Sequence, residues 1–368
     1  MKYRLTCLTP TLIGDGQRLA PIDYMVWKDH VNVLDQRRIF RLLAKGPRLD
    51  GYLAQLKKAD RLDFASWGGF AQNFAGRRIP FESAAAIPVW EKARAENLFI
   101  PTFAESPSGP YVPGTAIKGA LRTGSVFERW TEGTMRDIAG RLEENRAPRN
   151  PAAKAEDAVL GGAGSSRMRR IAAADSTPIT HSNMKVYLLR VSTLVARGAD
   201  RYEVGWKSSR GTVDTRKIEE STPIFAEMAT PGTAFQGIWQ EKSVGDRGKI
   251  FQAANHYASG LLERHKQYAA WAGLPHLTAT LAALEGRIGE IGNRPDVCVL
   301  SIGWGGGLLG KSAYLNSQDE SYRKILGSMP LYQRAIQTGL PFPKTRRVIF
   351  QGTQPASLPG WVMLEVAG

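Results

Sequence analysis

The sequence predicts an α+β fold, and three observations support this prediction. Segments that alternate apolar and polar residues interleave with segments of helical spacing, but without the regular strand-helix-strand rhythm of a doubly wound parallel sheet. The 368 residues are 43% hydrophobic and 23% charged, an ordinary globular composition that indicates no bulk disorder. From about residue 249 the chain becomes more helical, so we expect an N-terminal domain at 1–245 and a C-terminal domain at 246–368.

The N-terminal part begins with a strand that leads into a glycine turn. Tyr3, Leu5 and Cys7 alternate on one face, and the chain then reaches the turn at Gly14 and Gly16. Helical spacing covers residues 36–62, with a break at Gly46-Pro47, and resumes from the turn at Pro113 to about Trp130. Further strands are predicted at 24–27, 31–34, 171–174, 185–195 and 233–240.

The C-terminal part starts with two long helices and ends with strands. The predicted elements are helices at 251–271 and 277–291, a strand at 297–302, a glycine-rich loop, a mostly helical segment at 317–337, and closing strands at 347–350 and 361–366. Cys7 and Cys298 both lie in strand-like apolar segments, which indicates reduced thiols in the core. Five scattered histidines argue against structural zinc, and we predict no cofactor.

The charge is the least ordinary property of the composition. Lysine and arginine number 49 against 34 aspartate and glutamate, which gives a formal net charge of +15. Such an excess points to a polyanionic partner, most often nucleic acid, although membrane surfaces and acidic proteins also fit it. No run of 18 apolar residues is present, and the first 16 residues lack the apolar stretch of a signal peptide, so we expect a cytoplasmic protein.

The segment 111–122 is the most informative motif. Pro113 and Gly114 form a constrained turn, after which Thr115 is expected to cap a helix whose free N–H groups could hold a phosphate. Lys118 and Arg122 are four residues apart and therefore share one face of this helix. The pattern is equally typical of an ordinary capped helix with solvated cations.

Two other segments carry less specific signals. The glycine-rich tract at 161–170 ends in Arg167, Arg169 and Arg170, which favours either a solvated loop or a loop ordered by an anion. Residues 305–312 match the phosphate-loop pattern G-x-x-x-x-G-K-S with Lys311 as its lysine. Too few residues follow for the remaining strands of a phosphate-loop NTPase, and no strand ends in a magnesium-binding aspartate, so this alternative is the weaker one.

The order of several motifs resembles the RAMP superfamily of CRISPR proteins. The motifs are the segment 9–16, Pro21-Ile22-Asp23-Tyr24, Ile117-Lys118-Gly119-Ala120-Leu121-Arg122, the loop 302–307, and the closing segments 343–347 and 358–362. Within the superfamily the chain is most similar to the family of fifth Csm subunits of type III-A effector complexes. That resemblance implies two ferredoxin-like, RRM-like modules with insertions, the first carrying a large one and the second more helical.

The resemblance also implies a function and a set of RNA contacts. It implies a non-catalytic subunit that caps the 3′ region of the guide crRNA, contacts adjacent Csm backbone subunits and acts with a recruited host nuclease. The implied RNA-binding residues are Gly14, Gly16, Lys118, Arg122, Arg167, Arg169 and Arg170. To these we add Trp304 and Lys311 of the glycine-rich segment that begins at Ile302, which we call the late glycine loop. The family pattern does not require Lys311.

An endoribonuclease of the same superfamily is the alternative function. In the related backbone subunit an aspartate at the position of Asp23 takes part in metal-dependent RNA cleavage, but a lone carboxylate is a poor metal site. Metal-independent cleavage needs a base placed against the 2′-hydroxyl and a cation near the phosphate. His181 and Asp175 are the candidates for that base, and both are also common hydrogen-bonding loop residues.

Overall fold

The computed structural model describes residues 1–44, 46, 48–58, 74–162, 164–198, 201–208, 214–242 and 245–367. Parts of three predicted features lie outside these ranges: Lys45, Pro47 and residues 59–62 of the first helical segment, Ala163 of the arginine tract, and Val244 at the expected domain boundary.

Helices and strands alternate along the described chain. The helices are α1 (Gln36–Leu43), α2 (Leu49–Lys58), α3 (Ala86–Lys92), α4 (Gly114–Phe127), α5 (Glu132–Glu143), α6 (Ala153–Leu160), α7 (Asp246–Ala272), α8 (Pro275–Ile291), α9 (Glu320–Gly327) and α10 (Pro330–Gln337). The strands are β1 (Lys2–Cys7), β2 (Arg18–Leu19), β3 (Tyr24–Trp27), β4 (His30–Leu34), β5 (Ala75–Pro80), β6 (Ile100–Pro101), β7 (Glu105–Ser106), β8 (Gly109–Pro110), β9 (Ile171–Ala173), β10 (Met184–Ala196), β11 (Tyr202–Trp206), β12 (Ile224–Ala229), β13 (Ala234–Glu241), β14 (Val297–Ser301), β15 (Thr345–Gln351), β16 (Gln354–Ser357) and β17 (Trp361–Ala367).

Two antiparallel sheets organise the molecule. The first has the strand order β14-β17-β1-β13-β9, and the second has the order β11-β10-β15-β16 with β12 also paired to β10. A mixed structure with antiparallel sheets confirms the α+β prediction at this level. Strands from both sides of residue 245 share each sheet, while helix α7 begins at Asp246, next to the boundary expected from the sequence.

Both sheets contribute residues to each of two large hydrophobic clusters. Tyr3, Leu5 and Cys7 alternate inward from β1 and pack with Ile117 and Leu121 of α4, as their period-two spacing predicts. A larger cluster fills the space between the second sheet and helices α7 and α8. Burial raises the pKa of the Cys7 thiol to about 11, and Cys7 and Cys298 are both free and buried, which confirms the prediction of core thiols.

A buried asparagine joins helix α7 to the edge of the first sheet. The Asn255 side chain accepts a hydrogen bond from the Val299 N–H at 2.9 Å and donates one to the Val297 carbonyl at 3.3 Å. Strand β14 is the terminal strand of its sheet, so these bonds satisfy backbone groups that have no neighbouring strand. Helix α4 reaches the same helix closely, because a Cβ on Gly124 would lie 2.8 Å from the Ala254 Cα.

The late glycine loop is held by backbone contacts with two distant segments. The Trp304 N–H donates to the Leu12 carbonyl at 2.7 Å, and the Ile302 N–H donates to the Gly360 carbonyl at 2.8 Å. Gly303 has φ +80° and a Cβ there would lie 2.3 Å from the Leu12 carbonyl oxygen. A side chain at this position would therefore push the loop off the first glycine turn.

Most predicted elements occur, with differences where the pattern is weak. Strands β3 and β4 and helices α7 and α8 lie close to their predicted positions. Helix α5 and strands β5 and β12 were not predicted, and the helical segment at 317–337 divides into α9 and α10. No helix in the described ranges is long and apolar enough to cross a membrane.

We predict that Gly303→Ala destabilises the protein much more than Gly307→Ala. Both glycines have positive φ, but a Cβ on Gly307 would meet no atom within 4 Å. Gly307→Ala should therefore cost only the backbone strain, about 1 kcal/mol, whereas Gly303→Ala should cost at least about 2 kcal/mol more. Urea denaturation of the two variants measures this difference in free energy of unfolding, and equal losses would show that the contact with Leu12 is not tight.

Candidate nucleic-acid interface

A cavity of about 670 Å³ lies where the first glycine turn, helix α4 and the late glycine loop meet, and we call it the turn cavity. Gly14 and Gly16 line it from the turn, and Trp304 and Lys311 line it from the loop. These four RNA-binding candidates come from opposite ends of the chain, and the contacts of Leu12 and Gly303 bring them together.

Helix α4 presents small residues to the turn cavity. The wall is formed by Ala116, Gly119, Ala120 and Thr123. Their spacing of three and four residues places them on one face of the helix, and a Cβ on Gly119 would meet no atom within 4 Å. Because Ile117 and Leu121 are fully buried, they anchor the helix and leave this small face toward the open space.

Two exposed cations border the turn cavity. The Arg18 guanidinium lies 4.4 Å from the centroid of the Phe99 ring, and Lys311 has no ion-pair partner within the described ranges. The Asp15 carboxylate accepts a hydrogen bond from the Gln17 N–H at 3.0 Å and so shapes the turn. Arg18 could not be predicted as a site residue, because nothing in its local sequence distinguishes it from other surface arginines.

Lys118 and Arg122 do not line the turn cavity. At about 3.6 residues per turn they lie roughly 110–150° around the helix from its small face. The Arg122 guanidinium lies 2.5 Å from a Glu156 carboxylate oxygen of helix α6, so its charge is already paired. The spacing predicted correctly that Lys118 and Arg122 share a face, but neither residue lines the turn cavity.

The start of helix α4 also differs from the prediction. Pro113 stands at the N-cap, and the helix begins at Gly114 without a side-chain cap from Thr115. The Gly114 N–H donates to the Asp175 carboxylate at 2.8 Å, so a residue distant in sequence satisfies it. This carboxylate takes the place that a phosphate was expected to occupy at the helix N-terminus.

The three arginines of the basic tract lie in another part of the surface. Arg167–Arg170 form a short 3-10 turn in which the Arg169 guanidinium donates to the Gly164 carbonyl at 3.1 Å. Arg170 pairs with Asp246 at 3.2 Å. Arg167 lines a separate cavity of about 480 Å³ together with Arg129 and Lys249. The structure therefore groups the basic candidates into at least two regions.

The context of Lys311 and Ser312 is not that of a phosphate loop. Lys311 ends a short 3-10 turn, and the next helix begins only at Glu320. The Ser312 hydroxyl contacts the Tyr314 carbonyl at 2.7 Å and the Tyr322 hydroxyl at 3.0 Å. A phosphate loop places its lysine and serine at the start of a helix, with the serine hydroxyl available to magnesium. The NTPase alternative therefore lacks the required geometry.

Asp23 serves a local structural role. Its carboxylate accepts a hydrogen bond from the Ala20 N–H at 2.7 Å, and its own N–H donates to the Ala20 carbonyl at 2.9 Å. These bonds close the turn before strand β3. Among the described residues, no group of three or more histidine, cysteine, aspartate or glutamate side chains is placed to hold a metal ion.

His181 belongs to a chain of charged side chains. Its Nε2 lies 2.7 Å from the Glu105 carboxylate, whose other oxygen pairs with Arg77 at 2.8 Å. Arg77 also pairs with Glu227, which is completely buried. Burial raises the pKa of Glu227, and the Arg77 guanidinium opposes that rise. Asp175, the other candidate base, is engaged by the N-terminus of α4 and takes no part in this network.

Comparisons with solved structures give similar folds at low sequence identity. A chain of the cryo-EM structure of a Csm-crRNA-target RNA ternary complex in a type III-A CRISPR-Cas system superposes with a TM-score of 0.69 at 19% identity, covering 99% of this chain and 100% of that one. The crystal structure of T. onnurineus Csm5 gives a TM-score of 0.60 at 16% identity, with 98% and 99% covered. No curated protein sequence matches significantly.

A sequence model of the RAMP superfamily matches residues 4–253. The matched range includes most of β1, the first glycine turn, helix α4 and the strands β10 to β13. It covers more than half of the chain, and this protein therefore belongs to the RAMP superfamily.

Proposed function

We propose that this protein is an RNA-binding structural subunit of a type III-A CRISPR effector complex, in the role of Csm5, without a catalytic function of its own. Three findings support the proposal: membership of the RAMP superfamily, the fold shared with a chain of a Csm-crRNA-target RNA complex and with Csm5, and the net charge of +15. In this role it caps the 3′ region of the guide crRNA in the cytoplasm.

The turn cavity is the observation that carries the proposal. It joins flexible glycine backbone, a helix face of small residues, an indole and exposed cations in one groove. Glycine and alanine let a sugar-phosphate backbone approach closely, while Arg18 and Lys311 supply phosphate contacts. Such a groove recognises backbone and shape and carries little information about base sequence.

The proposal extends to partners and architecture. We propose that the chain comprises two ferredoxin-like modules with a boundary near residue 245, which exchange strands because each sheet contains strands from both sides of that residue. We also propose that the surface outside the turn cavity contacts adjacent Csm backbone subunits. Trimming of the crRNA 3′ end then falls to a recruited host nuclease. Arg167, Arg169 and Arg170 form the proposed second RNA-binding region, away from the turn cavity.

We predict that Lys311→Ala and Arg18→Ala reduce the salt dependence of RNA binding. Each lost phosphate contact should lower the slope of log affinity against log salt by about 0.7, because fewer counterions are released. The measurement is fluorescence anisotropy of a labelled single-stranded RNA over a salt series. Affinity should fall equally for RNAs of different sequence, since the contacts are to phosphate.

Arg122→Ala is the matched control for this prediction. It removes a cation of helix α4 that already pairs with Glu156 and lies away from the turn cavity, so the slope should change much less. If Lys118→Ala and Arg122→Ala lower the slope while Lys311→Ala and Arg18→Ala do not, RNA follows the opposite face of α4 and the turn cavity is not the site.

An endoribonuclease is the second candidate function, and the contact between His181 and Glu105 beside Arg77 favours it. A histidine oriented by a carboxylate and close to a guanidinium could act as a base near a phosphate. We nevertheless predict no cleavage of repeat RNA by the purified protein, with or without EDTA. Product that disappears in His181→Ala but persists in His256→Ala would establish the nuclease, because His256 also pairs with an exposed glutamate. Loss of one target-RNA cut in Asp23→Ala, in the assembled complex, would assign the subunit a metal-dependent nuclease role.

A further inference from the structure

A second cavity of about 510 Å³ lies on the other side of the late glycine loop, and we call it the arginine cavity. Its walls are the backbone of Gly305–Leu309, helix α10 and the segment Pro343–Arg347 that enters strand β15. Apart from the glycine loop, whose residues 305–312 match a phosphate-loop pattern, the residues that line only this cavity were not predicted from the sequence as site residues. The two cavities share the loop between them, and Ser301 lines both.

The arginine cavity is strongly positive. Lys207, Lys344, Arg346 and Arg347 line it, and no carboxylate does so within the described ranges. The nearest counter-charge is Asp214, which lies 2.6 Å from Lys207 and 3.8 Å from Lys344. Arg346 and Arg347 have no ion-pair partner within the described ranges. The pKa of Lys344 is lowered, first by burial and then by the charge of Lys207.

Arg346 is a buried cation whose partners are all neutral. Its side chain is 8% exposed, and its guanidinium donates to His265 Nδ1 at 2.9 Å and to the Pro343 and Thr345 carbonyls at 2.7 and 2.8 Å. It also lies 4.4 Å from the centroid of the Tyr268 ring. Burial lowers the pKa of Arg346 to about 10, so the group stays charged at neutral pH.

His265 is an uncharged partner of Arg346 and supplies no counter-charge. It accepts a hydrogen bond from Arg346 through Nδ1, which therefore carries no proton. Burial and the nearby Arg346 hold the pKa of His265 well below its usual range, so the ring is neutral. An uncompensated buried cation is costly to a folded protein, and a bound anion would remove that cost.

Arg347 and the late glycine loop add hydrogen-bond donors that have no acceptor within the described ranges. The Arg347 Nε is buried and has no hydrogen-bond partner among the described residues, while its guanidinium lies 4.8 Å from the centroid of the Trp304 ring. Within the described ranges the backbone N–H groups of Gly305, Gly306 and Gly307 donate to no acceptor. Positive φ angles at Gly305 and Gly307 give this stretch the turned backbone that forms anion-binding concavities.

The opposite wall is apolar and aromatic. Leu331 and Tyr332 of helix α10 and the buried Phe342 line it, and the Tyr332 and Phe342 rings are in edge contact at 5.9 Å between centroids. Leu331 is 79% exposed, an unusual position for a leucine beside a polar cavity. A volume of this size is typical of small-molecule sites.

We propose that the arginine cavity binds a nucleotide, with its phosphate against Arg346, Arg347, Lys344 and the glycine N–H groups and its base against Tyr332 and Leu331. The ligand chemistry is a phosphate ester attached to a flat apolar ring. Either a free mononucleotide or the terminal nucleotide of an RNA strand supplies it. This site is separate from the turn cavity and does not depend on RNA binding there.

Calorimetric titration of the full-length protein with adenosine 5′-monophosphate, adenosine and inorganic phosphate tests the proposal. The monophosphate should bind at least about tenfold more tightly than either part, because only it fills both walls. Arg347→Gln and Lys344→Gln should each weaken it at least about tenfold, whereas Arg287→Gln, which removes a cation of helix α8 paired with Glu290, should not. Circular dichroism checks that the variants fold. The buried Arg346 is left in place in both variants.

Short RNAs with a hydroxyl or a phosphate at each end distinguish the two sources. Arg347-dependent binding of one phosphorylated RNA end that is tighter than binding of the free monophosphate assigns the cavity to a strand end. Arg347-dependent binding of the free monophosphate, with no preference between the RNA ends, assigns it to a mononucleotide. If Arg347→Gln leaves the affinity for every probe unchanged, the proposal is overturned. It is also overturned if a glutamate-rich peptide binds as tightly as every nucleotide. The proposed function is tested separately, by the reduced salt dependence of RNA binding in Lys311→Ala. The two proposals can therefore fail independently.

Discussion

The architecture depends on close backbone contact among three segments that are far apart in sequence. Gly303 lies against the Leu12 carbonyl, and a Cβ on Gly360 would lie 2.2 Å from the Ile302 carbonyl oxygen. Only residues without a side chain allow such approaches, and the hydrogen bonds at Trp304 and Ile302 then fix the loop between the first turn and the closing strand. Both cavities are spaces left on either side of this loop, so the site geometry follows from a steric requirement for glycine.

The basic side chains differ in whether they have a carboxylate partner. Arg122 and Arg170 are paired with carboxylates, whereas Lys311 and Arg346 have no carboxylate partner within the described ranges. Unpaired cations contribute little to folding, and buried ones oppose it. Lys311 and Arg346 line the cavities on either side of the late glycine loop, and the contact of Arg347 with Trp304 joins those two sides.

The sequence predicted the elements whose pattern is local and missed features that depend on distant residues. Helices α7 and α8 were recognisable from apolar spacing over several turns, and β1 from its alternation. Strand β12 was missed because Glu227 interrupts its apolar run, and that carboxylate is tolerated only through Arg77. The capping of Gly114 by Asp175 and the orientation of helix α4 could not be inferred, because periodicity shows which residues share a face but not which way the face points.

The position of strand β1 has a consequence for how the chain reaches this structure. Its two neighbours, β13 and β17, come from much later in the sequence, so this strand can be completed only when residues near 365 have been synthesised. At about 5–20 residues per second, that interval lasts roughly tens of seconds. During this time the apolar face of β1 and both of its edges are open to other chains, and a nascent polypeptide of this topology depends on protection until its ends meet.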